Sequence, residues 1–314
     1  MQRIVTLTLN PALDLSTQAD HVIPGEKTRC GEPRRDPGGG GVNVSRAIRF
    51  LGGESVAVMA AGGESGAALM GLLQAEGLEA RNLGLPLPTR ESLSVRDEST
   101  GNQYRFVMPG PRWKQEHIDR TMEVMAGLVS PGDLVVPSGS FPPGVPPAFL
   151  VELSNVLEAK DAHMVLDTSG EALEVAASAR VGIHVLRMDG FEARQLSGRP
   201  LESLEEIAEF GQELKSQNSA RTVFISDGAN GTVLVNGRGH WHCRPPTVDV
   251  LSATGAGDSF VAGMVLALAR GLDPVGACVA GTGAAAAAVT TPGTALCERE
   301  TADELASQVI VQRL

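Results

Sequence analysis

The chain has 314 residues, 42% of them hydrophobic and 20% charged, which is enough apolar material for one large α/β domain or two smaller ones. A net charge of −11 argues against electrostatic binding of nucleic acid or of an anionic membrane and points to a small-molecule partner. The four cysteines, Cys30, Cys243, Cys278 and Cys297, are widely spaced, with no Cys-x-x-Cys and no His at metal-ligand spacing, as expected of free thiols in a reducing cytoplasm. No basic segment followed by an apolar stretch opens the chain. The longest apolar run, residues 284–289, is mostly alanine and reads as a packed helix, not a membrane span.

The first predicted strand covers residues 3–9 and is stopped by Pro11, which leaves Asp14 just past a strand's carboxyl end, where open α/β sheets bind ligands. An Asp capping a turn fits the same position. Residues 15–37 are polar and carry Pro24, Pro33 and Pro37, so short exposed strands and turns outside the main sheet are expected. Gly38-Gly39-Gly40-Gly41 then precede a Val44/Ala47/Ile48/Leu51 stripe, a loop entering a helix that denies side chains to the space beside it. It is neither the dinucleotide fingerprint nor the Lys-containing phosphate loop. A strand at 55–60, a glycine turn at 62–66 and a helix at 67–76 repeat the unit that builds a parallel sheet with crossover helices. Residues 89–95 and 102–107 alternate polar and apolar across a turn and predict a hairpin. Its Arg90 and Arg105 could clamp a phosphate or could be two solvated surface cations.

Further strands are predicted at 134–137, ending in Ser138-Gly139-Ser140, and at 164–167, ending in Asp167. Another at 181–186 leads into Arg187-Met188-Asp189-Gly190-Phe191-Glu192. The last of the series, 223–225, is followed by Ser226 and by a glycine turn holding Gly228 and Gly231 that could border a nucleotide. Polar residues at successive carboxyl ends are how a doubly wound sheet assembles a site along one edge. Finally, Ser252-Ala253-Thr254-Gly255-Ala256-Gly257-Asp258 opens an apolar helix, so backbone N–H groups would form an anion hole with Asp258 as a proton acceptor at its mouth. A simple helix cap by Asp258 is the competing reading.

The glycine signatures, Gly38 to Asn43 and Thr254 to Asp258, at this separation resemble those of the ribokinase-like (pfkB) carbohydrate kinase family. Residues 6–14, 103–110, 138–144 and 167–173 are most similar to its bacterial minor 6-phosphofructokinase branch. The resemblance implies a doubly wound, mainly parallel sheet with helices on both faces. It further implies a single domain over 1–314, a small β-lid formed by 15–37 and 89–107, and a homodimer made through paired lids. The implied activity transfers a phosphoryl group from ATP to fructose 6-phosphate, giving fructose 1,6-bisphosphate. 1-Phosphofructokinase and tagatose-6-phosphate kinase share the same motifs.

By the same resemblance Asp258 is the general base, and Gly255, Ala256 and Gly257 form the anion hole. Asp14, Gly39, Gly40, Asn43 and Ser140 would hold sugar hydroxyls, while Lys27, Arg90 and Arg105 would grip the substrate's phosphate. Arg187, Asp189, Ser226, Gly228 and Gly231 would border the nucleotide. Glu192 would face Mg²⁺ through water, and Asp249, Ser252, Thr254 and Gly293 would hold a monovalent cation such as K⁺. One segment departs from the family pattern: where Lys-Pro-Asn-x-x-Glu is usual, this chain has Arg187, Met188, Asp189 and Glu192. The extra carboxylate suggests that Asp189 works with Mg²⁺. It also keeps open a catalytically weak sugar-phosphate sensor. A kinase for nucleosides or unphosphorylated sugars would leave Arg90 and Arg105 without an anion to meet.

Overall fold

The computed structural model describes residues 1–291, 293 and 295–314. Its first half runs β1 (Ile4–Thr8), β2 (Ala12–Ala19), β3 (Arg34–Gly38), α1 (Gly40–Phe50), β4 (Val56–Met59), α2 (Gly63–Ala75), β5 (Glu79–Asn82), β6 (Arg90–Asp97), β7 (Gln103–Val107) and α3 (Gln115–Leu128). Then come β8 (Leu134–Pro137), α4 (Phe149–Glu158), β9 (His163–Asp167), α5 (Gly170–Ala179), β10 (Ile183–Asp189), α6 (Gly190–Ser197), α7 (Leu204–Ser216) and β11 (Ala220–Ser226). The chain closes with β12 (Thr232–Asn236), β13 (Gly239–Arg244), α8 (Ala256–Ala269), α9 (Pro274–Val289), α10 (Arg299–Ser307) and β14 (Ile310–Arg313).

Among these elements ten strands form one sheet in the order β14-β13-β12-β11-β10-β9-β8-β1-β4-β5. Pairing is parallel from β5 through β11 and antiparallel from β11 to β14. The sheet is buried on both sides, as parallel sheets with crossover helices must be. Within β1, Val5 and Leu7 join a core with helices α3 to α7, whereas Ile4 joins the opposite core with α1, α8, α9 and α10. The period-2 alternation of a strand thus supplies both faces from one five-residue segment. Three strands after β11 were not expected from the sequence. They form an antiparallel extension: the connections from β11 to β12 and from β12 to β13 are too short for the crossover that parallel pairing requires, while β14 returns to β13 only after α8, α9 and α10.

A second sheet has four strands in the order β3-β2-β6-β7. Asp14 was expected in a loop; it lies inside β2, because Pro11 ends the pairing of β1 and the chain resumes as a strand at Ala12 in this second sheet. The seam between β2 and β6 is parallel and eight residues long, from Ala12 opposite Arg90 to Ala19 opposite Asp97. Asp14, Asp36, Ser92 and Val107 are successive cross-strand partners and share one face. Leu15, Leu93 and Phe106 are partners on the other face.

Candidate active site

The site lies where the two sheets meet, at the carboxyl ends of β1, β8, β9 and β10. Helix α1 starts at Gly40, earlier than the apolar stripe alone indicated, so two of the four glycines are helical. Gly39, its N-cap, has φ 110°, and a Cβ there would lie 2.8 Å from the Thr8 methyl. A Cβ on Gly40 would meet Ser138 Oγ at 2.5 Å and Gly139 N at 2.6 Å, so the helix end presses directly on the turn after β8. Gly41 N–H donates to the Ser138 carbonyl (3.2 Å), fixing that contact.

Opposite stands the start of α8. Gly255 is its N-cap in the left-handed region, φ 80°, and the first intrahelical bond runs from Ser259 N–H to the Gly255 carbonyl. The N–H groups of Ala256, Gly257 and Asp258 therefore precede the helical ladder and are left to attract an anion. Asp258 sits in the first turn and its side chain makes no cap bond. Its Oδ2 instead accepts a hydrogen bond from Asn43 Nδ2 (2.9 Å), which ties α8 to α1 across 215 residues of sequence. The carboxyl is half-buried, open only toward the cleft. Burial and the nearby Asp167 push it up to about 7, against the opposing effects of Asn43 and Arg187. A carboxylate with that proton affinity is matched to accepting a proton near neutral pH.

A cavity of about 230 Å³ joins these groups and is lined by Asp14, Asn43, Arg46, Arg105, Gly255 and Asp258, among others. Burial raises the Asp14 carboxyl above its usual range while Arg90 and Arg105 pull it back. Arg90 is held by the Asn10 and Met108 carbonyls (3.4 Å) and by Ser92 Oγ (3.1 Å). Arg105 is exposed on β7, on the cavity's rim. Ser140 is exposed at the end of the β8 turn and accepts from Asn10 Nδ2 (3.3 Å). Lys27 stands exposed on the connection between β2 and β3, outside this lining. Arg46, which the sequence did not single out, grips Glu76, the C-cap of α2, with Nη2 at 2.7 Å and donates to the Pro37 carbonyl, so it anchors the root of β3 beside the cavity. A larger cavity of about 440 Å³ lies at the opposite edge of the sheet, where Arg3 and Arg49 are interspersed with Glu54 and Glu79, remote from every helix start described above.

On the other flank, Asp167 at the end of β9 accepts from Ser138 Oγ (2.8 Å) and from Arg187 Nη1 (3.0 Å). Arg187 also stacks on the Phe260 ring (5.7 Å to its centre) and lies beside Gly257, bringing a buried cation to the start of α8. Asp189 is the last residue of β10 and the N-cap of α6 at once. Its Oδ1 accepts from Glu192 N–H and Glu192 Oε2 accepts from Asp189 N–H, both at 2.8 Å. Burial and Asp189 push the Glu192 carboxyl up to about 7, although its bond from the Asp189 amide acts in the opposite sense. Ser226 pairs in register with Asp189 and shares a hydrogen bond with Thr232 (3.2 Å), while Gly228 and Gly231 frame the next turn with φ 56° and 102°. Ser252 Oγ donates to the Gly293 carbonyl (2.8 Å), and Thr254 N–H donates back to Ser252 Oγ (3.2 Å). Asp249 is exposed on the same loop.

Residues 7–302 match the model of the pfkB family carbohydrate kinases. The chain belongs to that family. Among pfkB relatives it is 38% identical, over 95% of this chain and 87% of the other, to the ATP-dependent 6-phosphofructokinase isozyme 2 of Mycobacterium tuberculosis. The crystal structure of Escherichia coli phosphofructokinase-2 in complex with fructose-6-phosphate superposes with a TM-score of 0.92 and 34% identity, covering 98% of this chain and 99% of that one. The same enzyme in complex with potassium gives a TM-score of 0.94 at the same identity and coverage. This pfkB chain is therefore a phosphotransferase with an alcohol group, a sugar hydroxyl, as acceptor, on a mixed α/β fold whose large sheet is mostly parallel. Among the described residues no helix is long and apolar enough to cross a membrane.

Proposed function

We propose that this enzyme transfers the γ-phosphoryl group of ATP to fructose 6-phosphate, forming fructose 1,6-bisphosphate. The observation that carries the reading is the pairing of Asp258 with the open N-terminus of α8, facing a cavity that also holds Asp14 and Arg105. Asp258 would take the proton from the attacking hydroxyl, and the N–H groups of Ala256 and Gly257 would receive the negative charge of the phosphoryl group in flight. Asn43 orients the base through its 2.9 Å bond. Asp14, Gly39 and Gly40, with Ser140 at the edge, would position the sugar, and Arg90 and Arg105 would clamp the phosphate it already carries.

The nucleotide would lie along Ser226, Gly228 and Gly231, with Arg187 between its phosphates and α8. Hard carboxylate oxygens at Glu192 and Asp167 suit Mg²⁺, which when bound would neutralise phosphate charge. The Gly293 carbonyl and Ser252 hydroxyl, already joined at 2.8 Å, offer the oxygen donors a monovalent cation such as K⁺ requires, with Thr254 and Asp249 on the same loop.

The chain would act as one domain over its whole length, the four-stranded sheet serving as a lid. A second copy would cover the lid's outer face, where Leu15, Leu93 and the 51% exposed Phe106 align across three strands. Both substrates belong to the cytoplasmic pool of phosphorylated metabolites. The test is ATP consumption measured against a panel of ketohexose phosphates and their unphosphorylated sugars. Fructose 6-phosphate is expected to give the highest kcat/KM. Equal turnover of unphosphorylated fructose would sink the reading.

A further inference from the structure

The departure at residues 187–190 bears on how the metal side of the site is held, an argument that rests on the kinase reading above. Strand β10 pairs with β11 up to Asp189, opposite Ser226, and α6 begins at the very next residue. No loop separates them, so one residue must end the strand and cap the helix. Asp189 Oδ1 satisfies the N–H of Glu192, three residues on, and Glu192 Oε2 returns to the N–H of Asp189. Such a reciprocal pair satisfies two otherwise unpaired amides and confines the Glu side chain, which in an open first turn would sample several rotamers. The start of α6 is in turn pressed against the nucleotide turn: a Cβ on Gly190 would collide with the Asp227 carboxylate, and Arg194 Nη1 reaches Asp227 Oδ1 at 3.4 Å.

We infer that Asp189 is a positioning residue, whose task is to fix the Glu192 carboxylate by capping α6 and not to bind nucleotide or metal itself. The Asn-x-x-Glu spacing usual in the family equals the N-cap to N3 spacing of Asp189 and Glu192, and Asn and Asp are nearly equivalent caps. The exchange therefore preserves the arrangement. One oxygen of Glu192 is committed to the Asp189 amide, and the other is presented in a single orientation.

The test is Mn²⁺ affinity in the presence of ADP, read by electron paramagnetic resonance, alongside the Mg²⁺ concentration for half-maximal rate and the thermal midpoint. Asp189→Asn and Asp189→Ser both keep a cap and are expected to hold Mn²⁺ affinity within about threefold. Asp189→Ala releases Glu192 and is expected to weaken Mn²⁺ by about 10-fold or more, as loss of an orienting partner does. Placed on a Glu192→Gln background, Asp189→Ala should add little further loss, because both changes act through one carboxylate. Three results overturn the inference: Asp189→Ser losing as much as Asp189→Ala, additive losses in the double variant, or a shifted thermal midpoint with Mn²⁺ affinity unmoved. Tight Mn²⁺ and ADP binding without turnover of any sugar phosphate would break the proposed function and leave the positioning role standing. Failure of the unaltered chain to bind Mn²⁺ with ADP at all would overturn both.

Discussion

The acceptor half and the nucleotide half of the cleft are built by different means. Around Asp258 the defining contacts join residues far apart in sequence: Asn43 to Asp258 across 215 positions, Arg90 to the Asn10 carbonyl across 80. Around Glu192 short-range contacts are prominent, Asp189 with Glu192 and Asp227 with Asn230, each three residues apart, beside longer ones such as Arg187 with Asp167 across 20. The acceptor half therefore exists only when the two sheets and two helices have docked, whereas much of the nucleotide half consists of local caps and turns. At 189 a side chain finds its partner within the same helical turn, whereas a change at Asn43 or Asp258 breaks a contact between distant elements.

The sharpest way to break this contrast is at the base. Asp258→Asn should lower turnover by roughly 10²–10⁴-fold while sugar-phosphate binding, measured by calorimetry, changes little. Because the folded carboxyl titrates near 7 and the unfolded one near 4, the folded state binds more protons across that window. Stability contributed by the protonated group is present at low pH and is lost as pH rises toward 7. The substituted chain escapes that loss and should melt a few degrees higher than the unaltered one at pH 8. The kcat/KM of the unaltered enzyme should rise with pH through a limb near 7 that the variant lacks.

A smaller effect is expected at the phosphate clamp. Arg90→Ala and Arg105→Ala should raise KM for the sugar phosphate by roughly 10–100-fold and KM for ATP by less than about threefold. Arg90 should matter more, since its three oxygen partners hold it in place before substrate arrives. Equal rises for both substrates would erase the division into halves.

Smallest, and confined to the nucleotide half, is Gly231→Ala. At φ 102° the added methyl meets the Cys243 carbonyl and lies 2.9 Å from His242 Nε2, a strain of about 1–3 kcal/mol. A severalfold higher KM for ATP with an unchanged KM for the sugar would confirm that this turn serves one substrate only.

The glycine clusters were legible in the sequence because their need is conformational and local, and both lie at helix starts in the cleft. Asp167 could likewise be placed from a strand boundary, whereas Arg187, expected just past its strand, lies inside β10, which runs on to Asp189, and Ser226 is the last residue of β11. Arg46 lay beside an apolar helical stripe, and it is marked by tertiary contacts alone, with Glu76 30 residues on and with the Pro37 carbonyl at the cavity. Strand β5, Glu-Ala-Arg-Asn, carries no apolar alternation because it is a polar edge strand. The hairpin of β6 and β7 announced itself, but its parallel seam with β2 did not, since no local pattern specifies a register between segments so distant. Whether Asp258 caps its helix was also beyond the sequence; the geometry of Gly255 and Asn43 decides it.

That parallel seam has a kinetic consequence. Ala12 and Arg90 are 78 positions apart, and the chain between them contributes α1, β4, α2 and β5 to the main body before β6 can return to β2. Closing the seam with β2 therefore spans a long loop, whose entropy is offset once β1, β4 and β5, three of the ten strands of the large sheet, have packed with α1 and α2. A nascent chain emerging from a ribosome could pair β2 with β3 early, but the other edge of β2 would stay open until β6 has followed. The grip on the sugar's phosphate thus waits on a long-range closure, not on the local hairpin that carries Arg90 and Arg105.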